Sequence, residues 1–465
     1  MSRRVVLGVF LASVLSAPAG AQTLPLVQAI RLATSTNPAV GEAQANKRAS
    51  AFELRQAQGG LLPQVRLQAD IGPERQRQFD SPVVSLKSND VANGRQANLV
   101  VRQVLFDGFQ TINETWRQAA RLDAASWRVQ ERSELIALDA IQAYTDIIRL
   151  QDMIAQSNRN IAVHRRLLSE VQARFDGGRA GSGDLDQVRE RVAAAEAAKA
   201  ELEIRLGESV ALFRKTVGIE PRGLSWPARP KGLPASRADA LSLTLRHNPT
   251  IRAAGADVSA AEAQRDVARG ADLPTVALEA SAAYGKDTQN YTGRYDDYSV
   301  KLSASWLLYS GGTITARQGE TVERLGEQQM RLSLLQRQAV ESIDRAWAAQ
   351  TGLASRIRAL STQVAAADKV VAAYRSEYDL GQRTLLDLLN SEQNRYNAAI
   401  GLINARGQVI FADYQLVAAT GTLLKFLNIV PPPEAANPLR GLRETGALIP
   451  PISSPTVQLP PGGLQ

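Results

Sequence analysis

Residues 360–390 read LSTQVAAADKVVAAYRSEYDLGQRTLLDLLN, and this stretch decides the architecture. Leu360, Val364, Ala367, Val371, Tyr374 and Tyr378 step by four and three residues in turn, the heptad seam of a helix packed lengthwise on another. Gly381 then marks a reversal, after which Leu389, Tyr396, Ile403 and Ile410 recur every seven residues in a return helix. No proline interrupts residues 313–380, so the spacing predicts one helix of about 65 residues, roughly 100 Å at 1.5 Å per residue. An ordinary globular helix is far shorter.

The same pattern occurs earlier, in residues 111–175, ending at a turn that contains Gly177, Gly178, Gly181 and Gly183. The agreement extends over the whole chain. Asn37-Pro38 recurs as Asn248-Pro249 and Leu62-Pro63 as Leu273-Pro274, both 211 residues on. From Phe106-Asp-Gly108 and Tyr309-Ser-Gly311 the offset is 203, and it holds for Tyr144 and Trp347, Phe175 and Tyr378, Gly178 and Gly381, and Asp184-Leu185 and Asp387-Leu388. Val217-Gly218 and Thr420-Gly421 close the series. A unit of roughly two hundred residues is therefore duplicated, too long for a solenoid repeat, with one shortening of about eight residues in an exposed loop. The expected organisation is a first repeat over residues 22–230 and a second over 231–430.

Each repeat opens with helical segments that restart at the Asn-Pro pair, where proline at the first helical position loses nothing by lacking an N–H. The period then changes to two. Val65, Leu67, Ala69 and Ile71 alternate with polar residues, as do Ala97, Leu99 and Val101 after a polar loop. Val276, Leu278, Ala280, Ala282 and Tyr284, then Tyr298, Val300, Leu302, Ala304 and Trp306, repeat the pattern. Alternation suits a lipid-facing barrel strand and a half-buried soluble hairpin equally.

The ends and the composition narrow the choice. Arg3 and Arg4, an apolar run and Ala19-Gly-Ala21 make residues 1–21 an expected secretory signal, too short for a membrane anchor. There is no cysteine, which excludes disulfides and a lipidated cysteine, and only two histidines, His164 and His247, so no metal or other cofactor is expected. No later stretch is apolar enough for a transmembrane helix. The net charge of +8 comes from Lys and Arg interspersed with Asp and Glu, a solvated surface rather than a nucleic-acid footprint. Residues 431–465, with Pro431-Pro-Pro433, Pro450-Pro451 and Pro460-Pro461, read as a flexible tail.

Four strands cannot close a barrel, since the smallest single-chain outer-membrane barrels have about eight. Left open in lipid, their edges would carry unpaired backbone groups. Either the strands are soluble or several chains pool them. A plain coiled-coil hairpin protein leaves the strand pairs unexplained.

The sequence resembles the TolC-type outer-membrane efflux family over residues 24–428. The residues that carry the resemblance are the twin Asn-Pro and Leu-Pro pairs, Leu105-Phe106-Asp-Gly108 with Leu308-Tyr309-Ser-Gly-Gly312, and above all Tyr378-Asp-Leu-Gly381-Gln-Arg383-Thr-Leu-Leu-Asp387-Leu-Leu-Asn390. The resemblance implies an α + β membrane protein, a homotrimer whose four strands per chain make a twelve-stranded barrel continuous with a twelve-helix periplasmic tunnel. It implies residence in the outer membrane of a Gram-negative bacterium, in contact with outer-membrane lipid. It implies, too, a periplasmic entrance latched by Asp184, Tyr378 and Arg383, with Gly178, Gly181 and Gly381 in tip turns that meet an adaptor. The family's constriction often carries two acidic residues one turn apart; here Asp387 is followed by Asn390, which leaves one carboxylate per chain. Without the family, Asp184 and Asp387 would each simply favour the start of its return helix.

Three function classes separate on these features. An enzyme lacks support, because no phosphate loop, nucleophile motif or metal spacing is present. A soluble periplasmic adaptor would carry one hairpin flanked by compact β domains. The remaining class is a passive exit duct engaged by an inner-membrane ABC transporter and its periplasmic adaptor (membrane fusion protein). The second tip looks more like ducts of type I secretion, and the missing lipid-acceptor cysteine argues against the lipidated drug-efflux branch; the outer-membrane component of a multidrug efflux pump stays as the alternative.

Overall fold

The computed structural model describes residues 23–74, 91–288 and 293–437. The expected signal at 1–21 lies outside them, as do residues 438–465. The first half contains α1 (Leu26–Thr36), α2 (Pro38–Gly59), β1 (Gln64–Glu74), β2 (Ala92–Phe106), α3 (Gln110–Asp176) and α4 (Ser182–Val217). The second repeats that order as α5 (Arg237–His247), α6 (Pro249–Gly270), β3 (Thr275–Lys286), β4 (Arg294–Ser305), α7 (Thr313–Asp379) and α8 (Leu385–Ala419). A short α9 (Leu423–Phe426) and a 3₁₀ turn at Pro433–Ala435 follow. Helices α3 and α7 each run for 67 residues.

Local chemistry sets the element ends. Asn37 caps α2 by accepting from the Ala39 N–H at 2.9 Å, and Asn248 caps α6 by accepting from Thr250 at 2.9 Å and Ile251 at 3.3 Å. Pro38 and Pro249 occupy the first helical positions, as the twin Asn-Pro pairs predict. Gly218 (φ 86°) and Gly421 (φ 74°) end the return helices in the left-handed region. The strands reach further into their loops than the alternation alone indicates, to Glu74 and from Ala92. Most of the difference between the repeats lies there: β3 and β4 are joined by residues 287–293, β1 and β2 by residues 75–91.

The chain divides into two compact units. Among the described residues, one takes 139–231 and 350–414 with 23–33; the other takes those within 34–138, 232–349 and 415–437. In the first, the α7 seam reads as the sequence predicts. Leu360, Val364, Ala367, Val371 and Tyr374 are half-buried, Tyr378 is buried, and most intervening positions are exposed. Among the described residues no helix is long and apolar enough to cross a membrane.

The second unit holds the sheet, antiparallel in the order β1-β2-β3-β4. Val65 pairs with Val101, Val101 with Ala280 and Ala280 with Val300, so the apolar positions of all four strands fall on one face. That face is open: Val65, Leu67, Tyr298, Val300 and Leu302 are all exposed. At its base the junction before α3 meets the junction after α6. A Cβ on Gly108 (φ 68°) would overlap the Gly270 carbonyl oxygen, and one on Gly270 would overlap that of Gly108. Both positions therefore need glycine for close backbone approach.

The tail begins later than the proline-rich composition indicates. Glu434 accepts from Arg48 at 2.7 Å, Ala435 is buried, and the Asn437 amide lies 3.4 Å from the Asp123 carboxylate. A buried small side chain and an ion pair dock residues 431–437 despite their prolines.

Candidate functional site at the helix tips

The two chain reversals lie in one unit, and the same backbone device builds both. At the end of α3, Gly178 (φ 72°) donates to the Phe175 carbonyl at 2.9 Å and Arg179 to that of Arg174 at 2.7 Å. At the end of α7, Gly381 (φ 76°) donates to Tyr378 at 3.0 Å and Gln382 to Glu377 at 2.8 Å. These are Schellman closures, which require a left-handed residue and so select glycine. The return helices start differently. Gly181 caps α4 without a side-chain bond, and Asp184 is exposed in the first turn. Thr384 precedes α8 and exchanges bonds with Asp387: the Asp387 N–H donates to Thr384 Oγ1 at 3.2 Å, and that hydroxyl donates to Asp387 Oδ2 at 2.7 Å. The Asp387 carboxylate thus belongs to a capping pair, while the first tip has none.

One apolar cluster fastens all four helices at this end. Leu167 and Val171 of α3, Leu185 and Val188 of α4, Tyr378 of α7, and Leu385, Leu388 and Leu389 of α8 pack together. Tyr378 is therefore a core residue of the tip as well as a candidate latch. The Arg174 guanidinium lies over its ring, 4.6 Å from the centroid. Burial pushes the Tyr378 phenol above its usual range; Arg174 and Arg375 pull it down, and Asp184 and Glu170 push it up.

The three expected latch residues are not joined within the chain. Asp184 acts on Tyr378 through its charge. Arg383 turns the other way, paired with Glu377 at 2.8 Å and 4.1 Å above the Tyr374 ring. Asn390 is exposed and accepts from Arg191 at 3.4 Å, which ties α4 to α8. Sequence reasoning missed the partners of this network. Arg375 pairs with Glu170 at 2.5 Å and with Asp379 at 3.4 Å; only the second follows from helical spacing. No periodicity points to the Arg383–Glu377 pair, which bridges a turn.

A buried polar group also lies along the same hairpins. His164 is 1 % exposed on α3, and neither its Nδ1 nor Asn160 Oδ1 has a hydrogen-bond partner among the described residues. About two turns earlier on α3, Ser157 shares a bond with the Tyr396 hydroxyl at 2.8 Å. The described residues contain no group of three metal-ligating side chains.

The model of outer membrane efflux proteins matches residues 29–218 and again 240–422, once for each copy. The chain belongs to the outer membrane efflux protein family. It is 28% identical to the outer membrane efflux protein BepC of Brucella suis over 70% of this chain and 71% of that one. It is 27% identical to the proteases secretion protein PrtF of Dickeya chrysanthemi over 91% and 93%. Among solved structures, the outer membrane protein VceC of Vibrio cholerae superposes with a TM-score of 0.74 at 19% identity, over 85% of this chain and 96% of that one. The protein is an outer-membrane channel component of the TolC type.

His164 gives the hairpins a pH dependence. Burial pushes its imidazole below the usual 6.5; Glu392 and Glu190 raise it, and Arg191 and Arg395 lower it further. The folded state holds the neutral ring, whereas the unfolded chain takes up a proton as pH falls through 6.5. Its contribution is complete above pH 6.5 and is lost below it, towards the lower folded value. Glu134 in the other unit has the opposite sign. Burial pushes its carboxyl up to about 7, against hydrogen bonds from the Leu424 and Leu423 backbone. The stability it confers is present below 4.5 and is lost as pH rises to about 7. Melting His164→Gln beside the native protein from pH 7.5 to 5 cancels the Glu134 contribution. The native protein should lose more melting temperature over that range than the variant.

Proposed function

We propose that this chain is the passive outer-membrane exit duct of a type I secretion system, engaged by a periplasmic adaptor and an inner-membrane ABC transporter. The carrying observation is the relation to PrtF, a proteases secretion protein, which runs almost end to end in both chains. In this reading residues 1–21 are removed, residues 22–230 and 231–430 are the two copies, and the duct performs no chemistry of its own. BepC, named for efflux, favours drug extrusion as the second reading. Deleting the gene separates them. Type I secretion predicts loss of an unprocessed large protein from the culture medium with little change in drug resistance; unchanged secretion with drug sensitivity would favour the second.

The duct requires a closed barrel, and we propose three copies. Open apolar side chains support self-association: Ile204 and Leu212 on α4, and Val322, Met330 and Leu334 on α7, are exposed. The duplication supplies the register. Within the chain Leu99 of the first copy faces Ala282 of the second. The equivalent positions are Leu302 (203 residues on) and Ile71 (211 back), so Leu302 should face Ile71 of the next protomer. Opposed Cα atoms in an antiparallel pair lie about 4.5–5.5 Å apart. Because the chain has no cysteine, Leu302→Cys with Ile71→Cys should give a short-span cross-linked ladder that ends at three. A ladder that ends elsewhere, or none from a folded protein, would reject this assembly.

Asp184, Tyr378 and Arg383 are proposed to latch neighbouring hairpins, with Asp387 and Asn390 at the constriction and Gly178, Gly181 and Gly381 presenting the turns to the adaptor. Arg383 and its partner Glu377 are half-buried at the tip surface, where water still reaches the pair and it can be exchanged for a neighbour's carboxylate. Arg383→Ser with Tyr378→Phe should raise single-channel conductance in planar bilayers several-fold while melting is unchanged. Wild-type conductance in that double variant would move the gate to the glycine-rich first tip.

A further inference from the structure

The register arranges the apolar face of the sheet in rows. Val65, Val101, Ala280 and Val300 form one, and Leu67, Leu99, Ala282 and Tyr298 form the next. Ala69, Ala97, Tyr284 and Asp296 follow. One row further towards the hairpin loops, the same face carries Ile71, Arg95, Lys286 and Arg294. Three cations thus stand side by side on three adjacent strands, on a face that is apolar further in except for Asp296. The opposite face at this end is acidic, with Asp70, Glu74 and Asp297. General solubility of a strand end does not by itself line up three cations in one row across three strands, with Asp296 the one acid beside them on that face.

The depth of the row fits its chemistry. Trp306, which is 59% exposed, follows β4 at the opposite end, and Leu307, Leu308 and Tyr309 beside it are also exposed. That cluster suits the aromatic belt at one membrane interface. Twelve residues separate Trp306 from Arg294. At ~3.4 Å per residue and a strand tilt of ~40°, they span about 31 Å of membrane depth. Outward apolar bands of such barrels are about 25 Å tall, so the cations sit at headgroup level. The duct reading puts the long helices in the periplasm and this end outside, which makes the outer leaflet the one they meet.

The cations are available. Arg95 and Arg294 are exposed and have no ion pair among the described residues. Lys286 lies 3.7 Å from Asp287, whose other oxygen accepts from the Gly293 N–H at 2.8 Å in the turn. Asp296, one row in, is the remaining acid on this face. Adjacent strands are about 4.8 Å apart, so three long side chains can converge on neighbouring phosphates, for which the guanidinium fork is well matched.

We propose that Arg95, Lys286 and Arg294 form a docking site for the phosphate groups of an outer-leaflet lipid headgroup, repeated on every copy around the barrel. The site rests on outer-membrane residence and not on which cargo the duct exports. The test uses the intact purified protein in detergent micelles, titrated with diphosphorylated glycolipid extracted from outer membranes, and bound lipid is counted by native mass spectrometry. An interfacial cation contributes about five-fold in affinity, so Arg95→Gln should bind about five-fold more weakly. The triple variant Arg95→Gln, Lys286→Gln, Arg294→Gln should bind about a hundred-fold more weakly. Enzymatically dephosphorylated glycolipid should bind the native protein no better than the intact lipid binds the triple variant. Lys301→Gln, on the opposite face, should change nothing. Equal binding by the triple variant, equal binding of the dephosphorylated lipid, or an equal loss in Lys301→Gln would each overturn the proposal. So would full displacement of the lipid by millimolar inorganic phosphate, which would mark a free-anion site instead. If the triple variant loses heat-modifiable migration, the Arg95→Gln titration decides.

Discussion

Backbone hydrogen bonding at the two sheet edges constrains everything else in this protein. β1 and β4 each have a strand neighbour on one side only. Their outward face is apolar and exposed, so the medium beside these edges is one in which unpaired N–H and C=O groups are not tolerated. A chain with four strands cannot satisfy that constraint alone, and the proposed ring of copies does so. The long helices inherit the consequence, since whatever symmetry closes the strands must also accommodate two hairpins per copy.

In the proposed duct, the tips would set a weak closure on a firm base. Their apolar cluster joins all four helices, with Leu388 and Leu389 almost fully buried, and truncating such a residue typically costs 2–5 kcal/mol. Around it lie exchangeable ion pairs at the surface: Arg383 with Glu377, Arg375 with Glu170, and Arg174 with Asp379. Exposed pairs of this kind contribute little net stability and swap partners easily. A rigid tip with a rearrangeable rim is what a partner-operated entrance requires. The capping contrast adds to this, because α8 starts at a Thr384–Asp387 pair whereas α4 starts at an uncapped glycine.

Much of the fold was legible because its signals are local. Asn-Pro pairs cap helices through their own side chains, heptads bury their own seam, and alternating residues choose a face, so each pattern carries its cause with it. What stayed hidden depends on residues distant in sequence. Arg48 and Glu434 are 386 positions apart, which is why residues 431–437 resemble a loose tail in composition yet are docked. Glu377 and Arg383 straddle a turn, so no helical period links them. Tyr378 was readable as a seam residue and as a family position, but its burial among α3, α4 and α8 side chains depends on how four helices meet. His164 stands in the sequence only as one of two histidines, because a lone histidine in a helix has no pattern that signals its burial.

The duplication also explains glycines that the single chain does not. Gly108 and Gly270 need to be glycine because their backbones touch. Their counterparts are Gly311 (203 residues on) and Gly59 (211 back). Gly311 has the same left-handed conformation as Gly108, φ 63° against 68°, yet a Cβ built on it meets nothing within 4 Å. Gly59 is the last residue of α2, with open space around it, and nothing in its own chain calls for glycine there. The proposed assembly supplies the reason. In a ring where β4 meets the next copy's β1 as β2 meets β3, Gly311 approaches Gly59 of the neighbour as Gly108 approaches Gly270 within the chain. The contact that joins the two halves of one chain is then the pattern for the contact between chains, and a single packing solution closes the whole barrel.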